Sequence, residues 1–187
     1  MDPGLRIFRV GHLFDGGARL LSQCELYLRD GVVERILEDS DRGPEAQALR
    51  EAYARAETVH EPDGFVLPGL INSHQHAYSA LARGMAPAGP MDNFPAILDT
   101  LWWRLDRALD PETVYLSALV TAIDTVRHGG TAIVDHHSSP STIQGSLVQV
   151  ARAFGDLELT ACLCHETSDR NGPEAFEQSV DENLTFA

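Results

Sequence analysis

The strongest constraint on this chain is a rhythm that begins at Phe65, where short apolar runs alternate with helix-length segments. FVLPGLINSHQH is rich in β-branched residues, too short for a buried helix and bounded by turn residues, so it reads as a buried strand. Residues 91–128 read as helical, with a break at Asp110-Pro111, where Asp110 caps, Pro111 opens and Gly129-Gly130 stops the second helix. TAIVDHH then reads as a strand, STIQGSLVQVARAFGD as a helix and LELTACLCHET as a third strand, with a last helix from about Pro173. Strand, helices, strand, helix, strand, helix is the order of a parallel α/β protein. A closed eight-stranded barrel of such units needs about 250 residues. With about three βα units, the 187-residue chain cannot close one; it reads either as a small open α/β sheet or, the favoured reading, as a fragment.

The residues before this rhythm have another character. LRIFRV, a DGG turn and CELYLRDGVVERIL read as strand, turn and Asp-Gly hairpin. Residues 38–57 are charged and Ala-rich, which suits a loop carrying a short helix, and TVHEPDG returns to extended chain with a Pro-Asp-Gly turn. The expected division is a small β unit over 1–64 and the start of the barrel over 65–187.

Charge narrows the choice of partners. The formal net charge is −14, and all 14 basic residues are Arg. Phosphate backbones and anionic membranes would be repelled, so neither nucleic acid nor membrane is expected as a partner. No apolar run approaches the roughly 20 residues that span a bilayer. The N-terminus lacks the basic start and apolar core of a secretory signal, so a cytoplasmic location is expected. The cysteines are Cys24, Cys162 and Cys164, an odd and sparse set that reads as buried, reduced thiols.

The sharpest chemical feature is His74-Gln75-His76. Strand residues two apart point to one side, so both imidazoles can reach one metal ion at the C-terminal end of the strand, where parallel α/β folds place their sites. An isolated H-x-H would more often be two solvated histidines. Pro68-Gly69 just upstream, the polar Asn72 and Ser73, and the loop from Ala77 to Gly84 favour the metal. His12, His60 and His128 read as incidental.

VLPGLINSHQHAYSALARG resembles the first barrel strand of the amidohydrolase superfamily, whose pattern is V-x-P-G-h-h-N-x-H-x-H with h apolar. LWWRLDRAL, TAIVDHHSSPSTIQGSL and CHETSDRNG are similar to the SsnA-type aminohydrolases, close to guanine and 8-oxoguanine deaminases and triazine hydrolases. The resemblance implies a deformed TIM-type (β/α) barrel beside a small β-sandwich, with one divalent metal, zinc first and iron second. It implies His74 and His76 as two ligands, the remaining ligands and the catalytic acid coming from later strands. Two imidazoles fall short of the usual three protein ligands plus water, so the chain alone is expected to be poor in metal and inactive. The implied reaction is hydrolysis of a carbon–nitrogen bond that is not a peptide, foremost deamination of a small heterocyclic amine by metal-activated water. Alternatives are cyclic-amide or chlorohydrolase chemistry, or an inactive metal-binding fragment. Relatives of this kind imply a possible homo-oligomer.

Four further residues are candidates for substrate contact. His137 shares a face with Asp135, while His136 points away from them. A loop-start Asp135 that hydrogen-bonds backbone amides ranks first, a pocket role for His137 second, and a self-contained site of His74, His76, Asp135 and His137 a distant third. Glu166 could reach an amino group of the substrate or pair with Arg170, while His165 alternates away and packs outward. Of Trp102 and Trp103, one packs and the other, taken as Trp103, lines a pocket against a planar ring. Asp106 could bind an amine, although a solvated helix face is its plainer role.

Overall fold

A computed structural model describes residues 4–187. The chain divides into two compact units, the first ending at Pro68 and the second running Gly69–Ala187.

In the first unit, β1 (Leu5–Phe14), β2 (Leu20–Arg29), β3 (Val32–Glu38) and β4 (Glu57–Val66) form a sheet of order β3-β2-β1-β4. β1 pairs antiparallel with β2 and parallel with β4. The turn between β1 and β2 is closed by Asp15, whose carboxylate accepts from the Gly17 and Arg19 amides at 2.9 and 3.2 Å. Helix α1 (Pro44–Ala52) closes one face, with Tyr27 and Tyr53 packed edge to face at 5.1 Å among Leu5, Ile7 and Leu37.

Two expectations fail in this unit, both along β4. Pro62-Asp63-Gly64 is not a turn but an excursion inside the strand: β1 pairs Val10 with Glu61 and next pairs His12 with Phe65. Gly11 makes room for it, since a Cβ there would lie 2.0 Å from the Pro62 carbonyl oxygen. Phe65 and Val66, read as the start of the barrel strand, complete β4. Pro68, with no N–H to donate, lies between β4 and the next strand.

In the second unit, β5 (Leu70–Gln75), β6 (Gly130–His137) and β7 (Thr160–His165) form a parallel sheet in that order. A short 3₁₀ turn, Ala77–Ala82, follows β5. Helices α2 (Phe94–Ile97) and α3 (Trp103–Ala108) are joined by a π-helical turn over Leu98–Trp102. Helix α4 (Pro111–Arg127) begins at a capping box, Asp110 and Thr113 each bonding the other's backbone amide, and His128 and Gly129, the latter at φ +79°, follow its end. Helices α5 (Ser146–Gly155) and α6 (Pro173–Phe186) complete the unit.

Alternation along β6 sets the two faces of this sheet. Ile133, Asp135 and His137 are buried, and Ile133 packs among Val114, Ala118 and Ala122 of α4 and Val150 and Phe154 of α5. Val134 and His136 are exposed on the other face, in register with Cys162 and Cys164 of β7. Those two thiols are exposed, contrary to expectation, because the helices cover only the opposite side; Cys24 is buried as expected. Among the described residues, no helix is long and apolar enough to cross a membrane.

Candidate metal centre and its surroundings

His74 is the penultimate residue of β5, and His76 directly follows the strand's last residue, Gln75. Their Nε2 atoms lie 3.2 Å apart, with the rings edge to face at 5.1 Å. The Nδ1 of His76 lies 2.9 Å from the His136 carbonyl oxygen. A carbonyl can only accept, so Nδ1 carries the proton and Nε2 keeps its lone pair. In the shared contact His74 then donates from its own Nε2. The His136 ring stands 5.6 Å from that of His76, on the open face of the sheet. The sequence reading turned His136 away from Asp135 and His137, and it is His136 that lies beside the pair; the self-contained site with Asp135 and His137, ranked last there, is not formed.

Asp135 and His137 lie beneath, toward the helices. Asp135 is 1% exposed; one carboxylate oxygen accepts from the Ala77 amide at 2.6 Å, and burial pushes its pKa up to about 6 against that bond and the nearby His76. His137 is fully buried and donates from Nε2 to Ser139 at 2.9 Å, because the Ser139 hydroxyl spends its proton on the Thr142 carbonyl. Burial, followed by the neighbouring His165 and His136, pulls the pKa of His137 down to about 3. Its ring packs against Tyr78 at 5.8 Å and His165 at 5.7 Å, so no substrate contact is open to it. His165 is also buried, and donates from Nδ1 to the Glu166 carbonyl at 2.9 Å. Among the described residues, no group of three or more His, Cys, Asp or Glu is placed to hold a metal ion together.

Asp106, Glu166 and Trp103 converge on Arg170, in the segment between β7 and α6. The guanidinium donates to Asp106, to Glu166 at 3.0 Å and to Ser138 at 3.0 Å. Its centre sits 5.4 Å from the centre of the Trp103 ring. Asp106 is only 2% exposed rather than on a solvated helix face, and Arg170 supplies the counter-charge that such burial requires. Burial alone would raise the Glu166 pKa, but hydrogen bonds with Arg170 and Ser138 outweigh it and hold the carboxyl below its usual value. Burial and the charge of Asp106 push the Tyr78 hydroxyl up to about 12, and its ring meets Trp102 at 6.3 Å. Sequence reasoning named the Glu166–Arg170 pair, which the structure forms, but not Asp106, Ser138 and Trp103 as further partners of the same arginine.

The sequence model of the amidohydrolase family matches residues 65–186. A 5-methylthioadenosine/S-adenosylhomocysteine deaminase of Pyrococcus furiosus is 24% identical over 180 residues, 96% of this chain and 38% of that protein. A second enzyme of that name, from Archaeoglobus fulgidus, is 28% identical over 122 residues, 65% of this chain and 27% of that protein. The chain thus spans well under half the length of these curated relatives. A crystal structure of atrazine chlorohydrolase TrzN from Arthrobacter aurescens TC1 complexed with zinc superposes with a TM-score of 0.62 at 20% identity, covering 86% of this chain and 35% of that one. That likeness carries the fold.

Proposed function

The chain belongs to the amidohydrolase family, and on that premise we propose that in the natural protein it supplies two ligands of a metal-dependent hydrolase. The reading is deamination of a small heterocyclic amine, the second unit being the first three βα units of a TIM-type barrel. The first unit would be part of the accompanying sandwich, with the border between Pro68 and Gly69.

The observation that carries it is the His74–His76 pair. Two imidazole nitrogens on one tetrahedral zinc, each bonded at about 2.0–2.1 Å, lie about 3.3 Å apart. The two Nε2 atoms are 3.2 Å apart. The donor set therefore fits a divalent ion, zinc before iron, with further ligands needed to complete it. When bound, such a metal supplies the Lewis acidity that lets an attacking water ionise near neutral pH.

The chain's own residues do the rest of what can be assigned. His136 orients the His76 ring through its carbonyl. Glu166, whose side chain keeps 28% of its surface open, is the carboxylate available to a substrate amine or hydroxyl, and Trp103 offers an aromatic face. Asp106 is enclosed and acts through Arg170. Deamination is preferred to cyclic-amide or chlorohydrolase chemistry because the curated relatives matched are named as deaminases of adenosine derivatives.

Ammonia release from adenosine-type nucleosides and from guanine by the natural, zinc-supplied protein tests the reaction. We expect release that His74→Ala/His76→Ala abolishes; release that survives the double substitution would overturn the assignment.

A further inference from the structure

We propose that Asp135 is a positioning residue for His76: its carboxylate pins the Ala77 amide so that the His136 carbonyl holds His76 in the tautomer with a free Nε2. This rests on His76 being a metal ligand, and it adds a residue that touches neither metal nor substrate.

The argument begins with where Asp135 is. A carboxylate at 1% exposure is an expensive way to satisfy one backbone amide, which a serine hydroxyl could do without a charge. Its Oδ1 is 2.6 Å from the Ala77 nitrogen, while Oδ2 is buried without a protein partner among the described residues. The single bond it makes falls on the residue directly after His76.

Two consecutive residues of β6 therefore grip the end of β5. Below the sheet, the Asp135 side chain takes the Ala77 amide; at the strand end, the His136 carbonyl takes the His76 ring proton at 2.9 Å. His76 itself has left the extended region, at φ −131° and ψ 77°, and its carbonyl accepts from the Ser79 amide at 3.0 Å and the Ser79 hydroxyl at 2.7 Å. The chain thus turns sharply between His76 and Ala77, and Asp135 anchors the turn from the neighbouring strand. Releasing the Ala77 amide would let the turn unwind and swing the ring away from the His136 carbonyl. Nε2 would then no longer be committed to the lone-pair form that faces His74. Tautomer control by an outer hydrogen bond is a general requirement for a histidine ligand.

The test compares the chain with Asp135→Asn and Asp135→Ala. Ring-nitrogen NMR of the zinc-free chain reads the His76 tautomer, and competition with a chromophoric chelator reads zinc affinity. Asparagine keeps an acceptor for Ala77 and should preserve the Nδ1–H tautomer. Alanine should mix the two tautomers and weaken zinc by about tenfold or more. Wild-type tautomer and wild-type zinc affinity in Asp135→Ala would overturn the proposal. Thermal melting identifies an alanine variant that fails to fold, in which case the wild type decides: an Nε2–H His76 or a rapidly exchanging Ala77 amide would overturn it. Zinc that leaves the His74 and His76 signals unmoved in wild type would instead sink the metal reading, while the tautomer comparison still decides the role of Asp135.

Discussion

The two units place their charges in opposite ways. In the first, most arginine–carboxylate pairs lie at the surface: Arg6 and Glu57 pair at 3.1 Å with more than half of each side chain exposed, and Arg50 with Glu25 is the half-buried exception. In the second, Asp106, Asp135, His137, His165 and Glu182 are all buried, and Arg170 is 14% exposed. Surface pairs adjust the fold by little, whereas buried ones cost free energy unless every partner is in place. The difference teaches where to look for chemistry. The unit that carries the H-x-H pair is the one that tolerates expensive polar groups, and they gather at the C-terminal ends of β5, β6 and β7.

Matched substitutions should expose this contrast most strongly. Arg170→Met strands Asp106 without its counter-charge and should destabilise the second unit by about 3–5 kcal/mol. Arg6→Met in the first unit should cost less than about 1 kcal/mol. Urea denaturation of both variants measures the gap, and equal losses would erase the distinction between the units.

A smaller effect is expected at Glu182. This carboxylate of α6 accepts from the Gly145 and Leu147 amides at 2.7 and 2.9 Å, capping α5 from a different element. Glu182→Ala leaves the buried Leu147 amide unpaired and should cost about 1–3 kcal/mol, read by the same denaturation.

Acid should also act on the second unit. His137 has a folded pKa of about 3 against an ordinary 6.5, so the unfolded chain binds the extra proton. Its contribution is complete above pH 6.5 and falls away as the pH drops toward 3. Asp135, raised to about 6 from 3.8, works the other way between those values, since its folded form takes the proton first. The two oppose each other between pH 6 and 3.8. His136, His165, Glu166 and Asp15 are also held below their ordinary values and add to the acid loss. His137→Asn should therefore make the fall in stability shallower from pH 6.5 toward 4 without abolishing it; melting temperatures across that range would show it, and a curve parallel to wild type would refute it.

The gentlest probe is alkylation of the native chain. Cys162 and Cys164 should react with iodoacetamide while Cys24 is protected, and mass spectrometry after brief exposure should find two labels.

What the sequence disclosed was whatever local chemistry decides. Asp110-Pro111 and Gly129 bracket α4 as their backbone preferences require, and period-two spacing brings His74 and His76 together. Long-range packing decided the remainder. Pro62-Asp63-Gly64 carries a strong local turn signal, yet pairing with β1 on both sides keeps it inside β4. Alternation could group Asp135 with His137, but only the helices packed over them reveal that this face is the buried one. Asp106 and Arg170 stand 64 residues apart, and no pattern in either segment announces their meeting.

The central claim is that the Nε2 atoms of His74 and His76 converge to bind one divalent ion, His74 losing its Nε2 proton as it does so. Zinc added in excess to the chain, with every imidazole followed by nitrogen NMR, tests it most directly. The account predicts that the Nε2 signals of His74 and His76 move together, His74 giving up its Nε2 proton, while His12, His60 and His128 stay in place. Movement of only one of the pair, or of neither, would contradict it.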